Sequence, residues 1–578
     1  MVDRFPLLRA SALAGTCLLA LAGCSDDGAD FDVSSQIGPD PVLPEPSPGL
    51  MPDMKIAEVV GWAEGQTPSV PEGFTVTAYA ADLAHPRTVH TLPNGDVLVV
   101  QSRGPEGKPK PRPKDVIRDY IMSWAQGGGG GEQKESNLIT LLRDTNRDGQ
   151  VDERSDLLTG LHSPFGVAWV EDTLYVAAAD AILAYPYELG QTEITAAPKV
   201  LTPLPGGPIN HHWTKDLALS PDGRFLYASV GSNSNAAERG LEAEKGRAAI
   251  WQVDRQTGAA RVFASGLRNP NGLTIHPETG VLWTVVNERD ELGPNLVPDY
   301  MTSVQEGGFY GWPWSYFGSH VDERVHPPRP EMVEKAIKPD YALSSHVAAL
   351  GLTFSNGSAM PEPYANGAFI GEHGSWNRNA FNGYKVVYVP FENGKPAGMA
   401  QDIVTGFLDG DQARGRPVGV AIDGTGALLI ADDAGDTVWR VAAADGSVTP
   451  EPIGSDRVAV RAARGDRVNT TGTGAAPDTA GADAGQTNGA VTNDAAQGAV
   501  PASQSSTAEA PPQENEAGLA PQAPPAPAAP SPDASQPTGA DNPSAPATAG
   551  GTEAPAPSQT EIAPAVLPEG SVQGSAGE

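Results

Sequence analysis

The chain has 578 residues and a formal net charge of −33, because 71 Asp and Glu residues outweigh 38 Lys and Arg residues. This acidity argues against nucleic-acid binding, since phosphate recognition needs a basic face. The cysteines, Cys17 and Cys24, form no Cys-x-x-Cys-His haem motif, so any electron carrier has to be non-covalent or external.

The N-terminus has the features of a bacterial lipoprotein signal. Two arginines give it a positive start, and the apolar run 12–22 is too short to span a bilayer comfortably. The run leads into Leu-Ala-Gly-Cys24, which matches the lipobox, and Ser25 follows. We therefore predict a signal peptide at residues 1–23, a lipid on Cys24, and export to the periplasmic side with anchoring in the outer membrane. The alternative is an ordinary secretory signal with a chance cysteine.

Composition divides the remaining chain into three parts. Residues 24–70 are rich in Pro and acids and lack apolar periodicity, which is typical of a linker, here a lipid-anchored one. Residues 471–578 contain no Lys, Arg or aromatic residue. Such a segment cannot bury enough apolar surface to offset its conformational entropy. We predict a folded domain at residues 71–445 and a disordered tail rich in Pro, Ala and Ser at residues 446–578.

A turn signal followed by a β-rich run occurs six times in the predicted domain. Asn, Asp and Gly in each turn tolerate the positive φ that tight hairpins need. The spacing of roughly fifty to ninety residues suits one four-stranded blade with variable loops. We predict an all-β, six-bladed β-propeller, closed by pairing of residues 73–79 with residues 437–440. The alternative is a β-sandwich or two stacked sheets. The six runs are residues 93–100, 171–176, 221–227, 278–283, 365–370 and 424–429.

Two rigid turns suggest a binding site. The segment Gly-Leu-Arg268-Asn269-Pro-Asn-Gly-Leu presents a cation and an amide on a Pro- and Gly-braced turn. Gly293 and Pro294 follow about twenty residues later, and their carbonyl oxygens are ligands of the kind that hard cations take. With the pair His211-His212, the pattern indicates a site for an anionic quinone cofactor and a calcium ion.

Six segments in chain order resemble the sorbosone dehydrogenase family, within the soluble aldose sugar dehydrogenases that depend on pyrroloquinoline quinone (PQQ). The resemblance covers residues 71–441, and the family's six-bladed propeller agrees with the repeat count. The segments are His211-His212-Trp213-Thr214-Lys215 and residues 266–273, 286–293, 308–313, 373–378 and 414–417.

The resemblance implies a reaction. PQQ lies over one end of the central channel, and a calcium ion polarises its quinone carbonyl. A histidine takes the proton from the hydroxyl of an aldose hemiacetal or a hydrated sugar aldehyde, of the glucose or sorbosone type, while hydride passes to PQQ. The product is a lactone or an acid. An external acceptor, a cytochrome or a quinone, reoxidises the cofactor.

The resemblance also implies roles for single residues. His212 is the expected general base, since a histidine accepts protons at neutral pH; the alternative is a loop cap. Arg268 is expected to donate to the quinone oxygen with Asn269 beside it; the alternative is a turn arginine paired with an acid. Gly293 and Pro294 are expected to give carbonyl oxygens to calcium, unless they form a plain turn.

Further arginines are candidates for the carboxylates of PQQ. Arg414 and Arg416 alternate on a segment that we interpret as extended, so both side chains are expected to point the same way; the alternative is a solvated strand end. Related glucose dehydrogenases carry a lysine on the preceding blade. This chain offers Arg378 or His373 there instead.

Weaker candidates remain outside these motifs. His162 and His346 lie in loops comparable to those of the pocket. Residues 144–152 have the oxygen spacing of an EF-hand loop, but Ser155 stands where the bidentate Glu belongs and helical flanks are missing. A polar hairpin turn is the favoured interpretation, and a structural calcium site is the alternative.

Two other functions stay open. A calcium-dependent propeller lactonase or hydrolase would use Glu288, Asp290 and Glu291, and a non-catalytic propeller would bind a glycan or a protein. No Gly-x-Gly-x-x-Gly opens a helix after a strand, and no Gly-x-Ser-x-Gly elbow occurs, so the sequence does not support a nicotinamide, flavin or serine-hydrolase site.

Overall fold

The computed structural model describes residues 31–49, 52–105 and 136–444. The predicted signal peptide, Cys24 and the predicted tail at 446–578 lie outside the described residues, as do residues 106–135. No helix in the described ranges is long and apolar enough to cross a membrane.

The regular secondary structure of the described residues is almost entirely β, so the prediction of an all-β fold is confirmed. Within the described residues, helical structure is limited to helix α1 (Pro330–Val333) and to 3₁₀ turns at Val33–Gln36 and Leu241–Glu244. The strands, in chain order, are β1 (Ile37–Gly38), β2 (Glu58–Val59), β3 (Phe74–Ala80), β4 (Pro86–Thr91), β5 (Val97–Gln101), β6 (Leu138–Arg143), β7 (Glu153–Leu158), β8 (Val167–Val170), β9 (Thr173–Ala177), β10 (Ala181–Pro186), β11 (Lys199–Pro203), β12 (Leu217–Leu219), β13 (Phe225–Val230), β14 (Ala249–Asp254), β15 (Ala260–Ser265), β16 (Asn269–Ile275), β17 (Leu282–Asn287), β18 (Pro298–Ser303), β19 (Ser315–Tyr316), β20 (His320–Val321), β21 (Tyr341–Ser345), β22 (Ala349–Phe354), β23 (Gly367–Glu372), β24 (Lys385–Glu392), β25 (Lys395–Pro396), β26 (Gln401–Val404), β27 (Leu408–Asp409), β28 (Gln412–Ala413), β29 (Pro417–Ile422), β30 (Leu428–Asp432) and β31 (Thr437–Ala443).

Six larger antiparallel sheets follow one another along the chain. Each of the six turn signals found in the sequence precedes the second strand of one sheet, namely β5, β9, β13, β17, β23 or β30. The sixth sheet takes its outer strand from the N-terminal side, because β3 pairs with β31 from Phe74↔Ala443 to Ala80↔Val438. The predicted closing pair is therefore confirmed. The sheets are β4–β7, β8–β11, β12–β15, β16–β18 with β21 and β1, β22–β24 with β25 and β26, and β29–β31 with β3.

The six sheets pack side by side in a closed cycle. Six buried apolar clusters each join the inner faces of two sheets that are neighbours in the chain, and the last cluster joins the sixth sheet to the first. Burying apolar surface in this way is the main favourable contribution to folding. Residues that share a cluster across successive interfaces include Leu98 and Val176, Ile182 and Leu226, Ile250 and Val286, Val285 and Ile370, Phe369 and Ile430, and Leu429 and Val99.

The first strands of all six sheets surround a common cavity of about 290 Å³. Glycines let these strands approach closely. A Cβ on Gly351 would lie 2.2 Å from the carbonyl oxygen of Val418, and one on Gly419 would lie 2.7 Å from that of Arg87. Because each sheet is an antiparallel meander, the start of its first strand and the connection between its second and third strands lie at the same end. We call the loops at this end of the six sheets the loop face.

The described part of the predicted linker 24–70 packs against the sheets. Gln36 is fully buried and donates to the carbonyl oxygen of Asn295 at 2.6 Å. Trp62 donates to Asp432 at 2.7 Å and packs edge-on against Trp439. The folded domain predicted from the sequence begins at residue 71, because the isolated apolar residues before it show no strand or helix periodicity. The structure extends the packed chain back to β1.

Candidate functional site

A pocket of about 320 Å³ opens on the loop face of the third, fourth and fifth sheets. His211 and His212 line it from the loop before β12, and Arg268 and Asn269 line it where β16 begins. The structure therefore brings together the predicted base and the predicted Arg-Asn turn, which are far apart in sequence. His346, one of the two weaker histidine candidates, also lines the pocket.

His212 is held as a neutral imidazole with one nitrogen committed. Its Nδ1 lies 2.9 Å from the carbonyl oxygen of Ser232 and 3.0 Å from the Ser232 hydroxyl oxygen. A ring nitrogen that donates to a carbonyl carries the proton, so Nε2 is the acceptor of this ring. Burial, together with the charges of Arg268 and His211, holds the pKa of His212 well below its usual value of 6.5. The side chain is therefore an unprotonated base at neutral pH.

Two buried cations hold the loop that carries His212. Lys215 donates to the carbonyl oxygen of Trp213 at 2.9 Å, and its ammonium lies 3.5 Å from the side-chain oxygen of Asn210. Arg247 donates to that same Asn210 oxygen at 2.8 Å and to the carbonyl oxygen of Gly231 at 3.1 Å. Lys215 and Arg247 thus fix the chain on both sides of the imidazole.

Arg268 is buried and its donors are committed to protein groups. Nη1 donates to the carbonyl oxygens of Glu288 at 2.5 Å and Asn287 at 3.3 Å. Nε and Nη2 donate to the backbone and side-chain oxygens of Asn235, at 3.2 Å and 2.9 Å, and Nη2 lies 3.0 Å from Asp290. In this arrangement Arg268 joins two pocket loops, and its charge favours the neutral form of His212.

Amide oxygens on the pocket wall lack partners. The side-chain oxygens of Asn269 and Asn233 are buried and have no hydrogen bond within the described residues. A buried polar atom without a partner costs free energy that a bound ligand can recover. These two amide oxygens are therefore available to bond a ligand.

The pocket carboxylates are largely offset by their surroundings. Glu288 forms a fully buried ion pair with Arg289 at 2.9 Å. Asp299 accepts the backbone N–H groups of Glu288 and Ala348, both at 2.7 Å, and burial raises its pKa to about 7. Asp290 lies against Arg268, as described above. A carboxylate with a pKa near 7 is only partly charged at neutral pH.

The predicted calcium carbonyls lie beside the pocket. The carbonyl oxygen of Gly293 is 3.3 Å from Nε2 of His346, a side chain that does line the pocket. Gly293 itself lines a neighbouring cavity of about 190 Å³, and Pro294 is half-buried next to it. A Cβ on Gly293 would lie 2.2 Å from the hydroxyl oxygen of Ser47, so the N-terminal segment covers this turn.

The three arginines predicted for the PQQ carboxylates do not line this pocket. Arg414 pairs with Asp409, whereas Arg416 donates to the carbonyl oxygens of His373 and Gly374, both at 2.9 Å. The two side chains diverge because residues 414–416 lie between β28 and β29, and strand alternation does not apply there. Arg416 still lies on the loop face.

Arg378 is buried away from the pocket and bonds protein groups. It is buried, donates to the Ser345 hydroxyl at 2.6 Å and lies 3.3 Å from the carbonyl oxygen of Ala380. His373, the alternative to Arg378, bonds Asp433 at 2.9 Å, and burial lowers the pKa of His373 to about 4. These contacts involve distant segments, which the sequence motif alone could not indicate.

Sequence reasoning missed the connection between β13 and β14. Asn233, Ser234, Asn235, Glu238 and Arg239 from this loop line the pocket. The run Gly-Ser-Asn-Ser-Asn between two strands was the signal that could have found it, because loops on one face of such a fold build its binding sites.

The remaining candidates lie elsewhere. His162 is exposed and 3.2 Å from Asp180. Residues 144–152 form the turn between β6 and β7, as the favoured interpretation predicted, and the side chain of Asp144 accepts backbone N–H groups of Asp148 and Gly149. Within the described residues, no group of three or more His, Cys, Asp and Glu side chains is arranged to hold a metal.

Comparisons with known proteins agree with the resemblance seen in the sequence. Residues 170–439 match the family model described as Glucose / Sorbosone dehydrogenase. An uncharacterised protein of Borreliella burgdorferi is 28% identical over 294 residues, which is 49% of this chain and 76% of that protein. The aldose sugar dehydrogenase YliI of Escherichia coli is 28% identical over 119 residues, which is 20% of this chain and 30% of that protein.

Solved structures share the fold. The holo form of the pyranose dehydrogenase PQQ domain of Coprinopsis cinerea superposes with a TM-score of 0.52 at 19% identity, covering 67% of this chain and 100% of that one. The calcium structure of the family AA12 carbohydrate-active enzyme of Trichoderma reesei gives 0.53 at 18% identity, covering 65% and 97%.

Proposed function

We propose that the chain oxidises an aldose or a sugar aldehyde to a lactone or an acid, with PQQ and calcium as cofactors, because residues 170–439 match the family model described as Glucose / Sorbosone dehydrogenase. The six sheets are then the blades of a six-bladed propeller, and the pocket lined by His212 is the active site. The observation that carries the proposal is the orientation of His212. Its Nδ1 is committed to Ser232, beside Arg268 and Asn269.

In this proposal, each residue of the pocket has a separate role. Nε2 of His212 accepts the proton of the substrate hydroxyl, and the depressed pKa keeps this nitrogen unprotonated near neutral pH. Ser232 fixes the tautomer and the direction of the ring. Arg268 holds two pocket loops together and disfavours the charged imidazolium form of His212. Lys215 and Arg247 fix the loop that carries His212.

The donor set fits the two cofactors. Asn269 has a buried oxygen without a partner within the described residues and is the wall residue best placed to bond PQQ. Gly293 and Pro294 would hold calcium through carbonyl oxygens, next to His346. When bound, PQQ supplies the hydride acceptor and calcium supplies a Lewis acid.

The sequence supports a proposed cellular location and a proposed electron acceptor. A lipid on Cys24 would anchor the protein in the outer membrane, on the periplasmic side, after removal of residues 1–23. The chain lacks a haem-attachment motif, so a separate cytochrome or quinone would take the electrons from the reduced cofactor.

A calcium-dependent lactonase is a second candidate. Glu288, Asp290 and Glu291, the side chains it would need, do line the same pocket. Against it, Glu288 is paired with Arg289 and Asp290 with Arg268, and these guanidinium charges oppose a metal ion nearby, although Oε1 of Glu288 has no hydrogen-bond partner within the described residues.

The test uses the full chain after treatment with EDTA. We expect a panel of aldoses to reduce an artificial electron-acceptor dye only when both PQQ and Ca²⁺ are added. His212→Gln should lower the rate by about a hundredfold or more, as expected for loss of a general base. His326→Gln, an exposed histidine, is the matched control. Lactone hydrolysis with calcium alone and no dye reduction would replace the proposal by the second candidate.

A further inference from the structure

We propose that Arg239 binds a carboxylate in the pocket lined by His212, and that the substrate is an aldose carrying a carboxylate, a uronic acid. This inference rests on the proposed function. Arg239 lies in the connection between β13 and β14, and within the described residues its buried Nε has no hydrogen-bond partner. In the same part of the chain, its guanidinium forms no ion pair with an Asp or Glu side chain.

The acids nearest to Arg239 in sequence are directed at their own loop. The carboxylate of Glu244 accepts the backbone N–H of Asn233 at 2.7 Å and the hydroxyl of Ser234. Glu238 accepts the backbone N–H groups of Asn235 and Ala236, at 3.1 Å and 2.7 Å. These bonds brace the loop that carries Arg239.

The second arginine of the pocket is already committed. Arg268 donates to four protein oxygens besides Asp290, so a ligand carboxylate would have to displace protein bonds to reach it. Arg239 can form a bidentate pair with a carboxylate at no such cost, because the planar guanidinium matches the geometry of that group. Of the two arginines that line the pocket in the described part of the chain, Arg239 is the one with an uncommitted guanidinium.

Hydroxyl-binding groups line the same pocket as this cation. The unpaired amide oxygens of Asn233 and Asn269 accept hydrogen bonds, and sugar hydroxyls donate them. A pocket of about 320 Å³ is within the usual range for a small-molecule site. An anion-binding arginine with hydroxyl acceptors beside it is the pattern that a polyhydroxylated carboxylate would satisfy.

The first experiment measures binding by calorimetry on the full chain with Ca²⁺ and without PQQ, so that it does not depend on turnover. D-glucuronate and D-glucose are the matched probes. We expect glucuronate to bind more tightly, and Arg239→Gln to weaken glucuronate about 10- to 100-fold while leaving glucose unchanged. Arg239→Lys should retain part of the preference. Arg224→Gln, on a hairpin at the opposite end of the third sheet, should change neither.

The second experiment identifies the source of the carboxylate. PQQ is titrated into the same variants and followed by quenching of tryptophan fluorescence. An unchanged PQQ affinity in Arg239→Gln, together with loss of glucuronate binding, supports the inference. A loss of PQQ affinity without an effect on glucuronate assigns Arg239 to the cofactor and overturns the substrate class, as does equal binding of glucuronate and glucose. Dye reduction with neutral aldoses would leave the proposed function standing in either case.

Discussion

Lys215 offers a test of how the base-carrying loop is held. Its side chain is fully buried, and burial and the charge of Arg247 hold its pKa well below the usual value of 10.5, against the attraction of Asp180. Lys215→Met keeps a similar volume and removes the charge. The lost hydrogen bonds cost about 1 kcal/mol each, and release of a desolvated amine offsets part of this. We expect a net change in unfolding free energy within about 2 kcal/mol at neutral pH.

The variant should also change the pH dependence of stability. Between the depressed pKa of the folded state and the unfolded value, the unfolded chain binds more protons at Lys215 than the folded chain does. Stability therefore rises with pH in this window, by up to about 1.4 kcal/mol per unit, and Lys215→Met loses that rise. The free energy of unfolding of the wild type should therefore increase relative to that of Lys215→Met as pH rises towards about 10.

Urea unfolding of the full chain, measured at several pH values in this window, gives the comparison. Lys335→Met, on an exposed lysine, is the control and should follow the wild type. Equal pH slopes for the wild type and Lys215→Met would show that the ammonium is not desolvated, and the account of the loop would be wrong. In the dye assay, Lys215→Met should lower kcat more than it raises KM, because the freed Trp213 carbonyl loosens the position of His212.

Two further predictions concern the fold. Gly351→Ala should lower the thermal unfolding midpoint and cost about 1–3 kcal/mol or more of stability, because the new Cβ would lie 2.2 Å from the Val418 carbonyl oxygen. Gly207→Ala is the control, since its Cβ would meet nothing closer than 3.9 Å. Equal midpoints for the two variants would contradict the close packing of the first strands. Acid should destabilise the protein as pH falls from about 6.5 towards 4, since burial lowers the pKa of His90 and His373 to about 4 and these side chains bind protons only in the unfolded chain. In urea unfolding, the free energy of unfolding of His90→Gln should depend less steeply on pH than that of the wild type. An unchanged dependence would refute this cause.

The parts of the fold that sequence predicted are those set by local chemistry. The turn signal Asn94-Gly95, for example, marks a hairpin because Gly95 adopts a φ of 95°, which glycine tolerates without strain. The closing pair β3–β31 followed from the need to cover a sheet edge. The packing of Gln36 and Trp62 was not predictable in this way, since each fills a groove made by residues several hundred positions away.

The site shows the same division. His212, Arg268 and Asn269 come together because each stands next to the first strand of a sheet, and the repeat places those positions on one face. Arg414 and Arg416 were expected to act as a pair, but Asp409 and the His373 carbonyl draw them apart. Alternation along an extended segment cannot predict such partners, because they come from other loops.

The charges on the pocket wall connect the two proposed cofactors. The lining carries the carboxylates of Glu238, Glu288, Asp290, Glu291 and Asp299 and the guanidinium groups of Arg239 and Arg268. A tricarboxylate entering alone would meet more acidic groups than basic ones, and Arg268 has its donors committed to protein oxygens. A divalent cation held near Gly293 would offset most of this excess negative charge at short range, where charges in a partly buried site are weakly screened. Binding of PQQ should therefore depend on calcium being bound first, so the affinity for PQQ should fall steeply when calcium is removed.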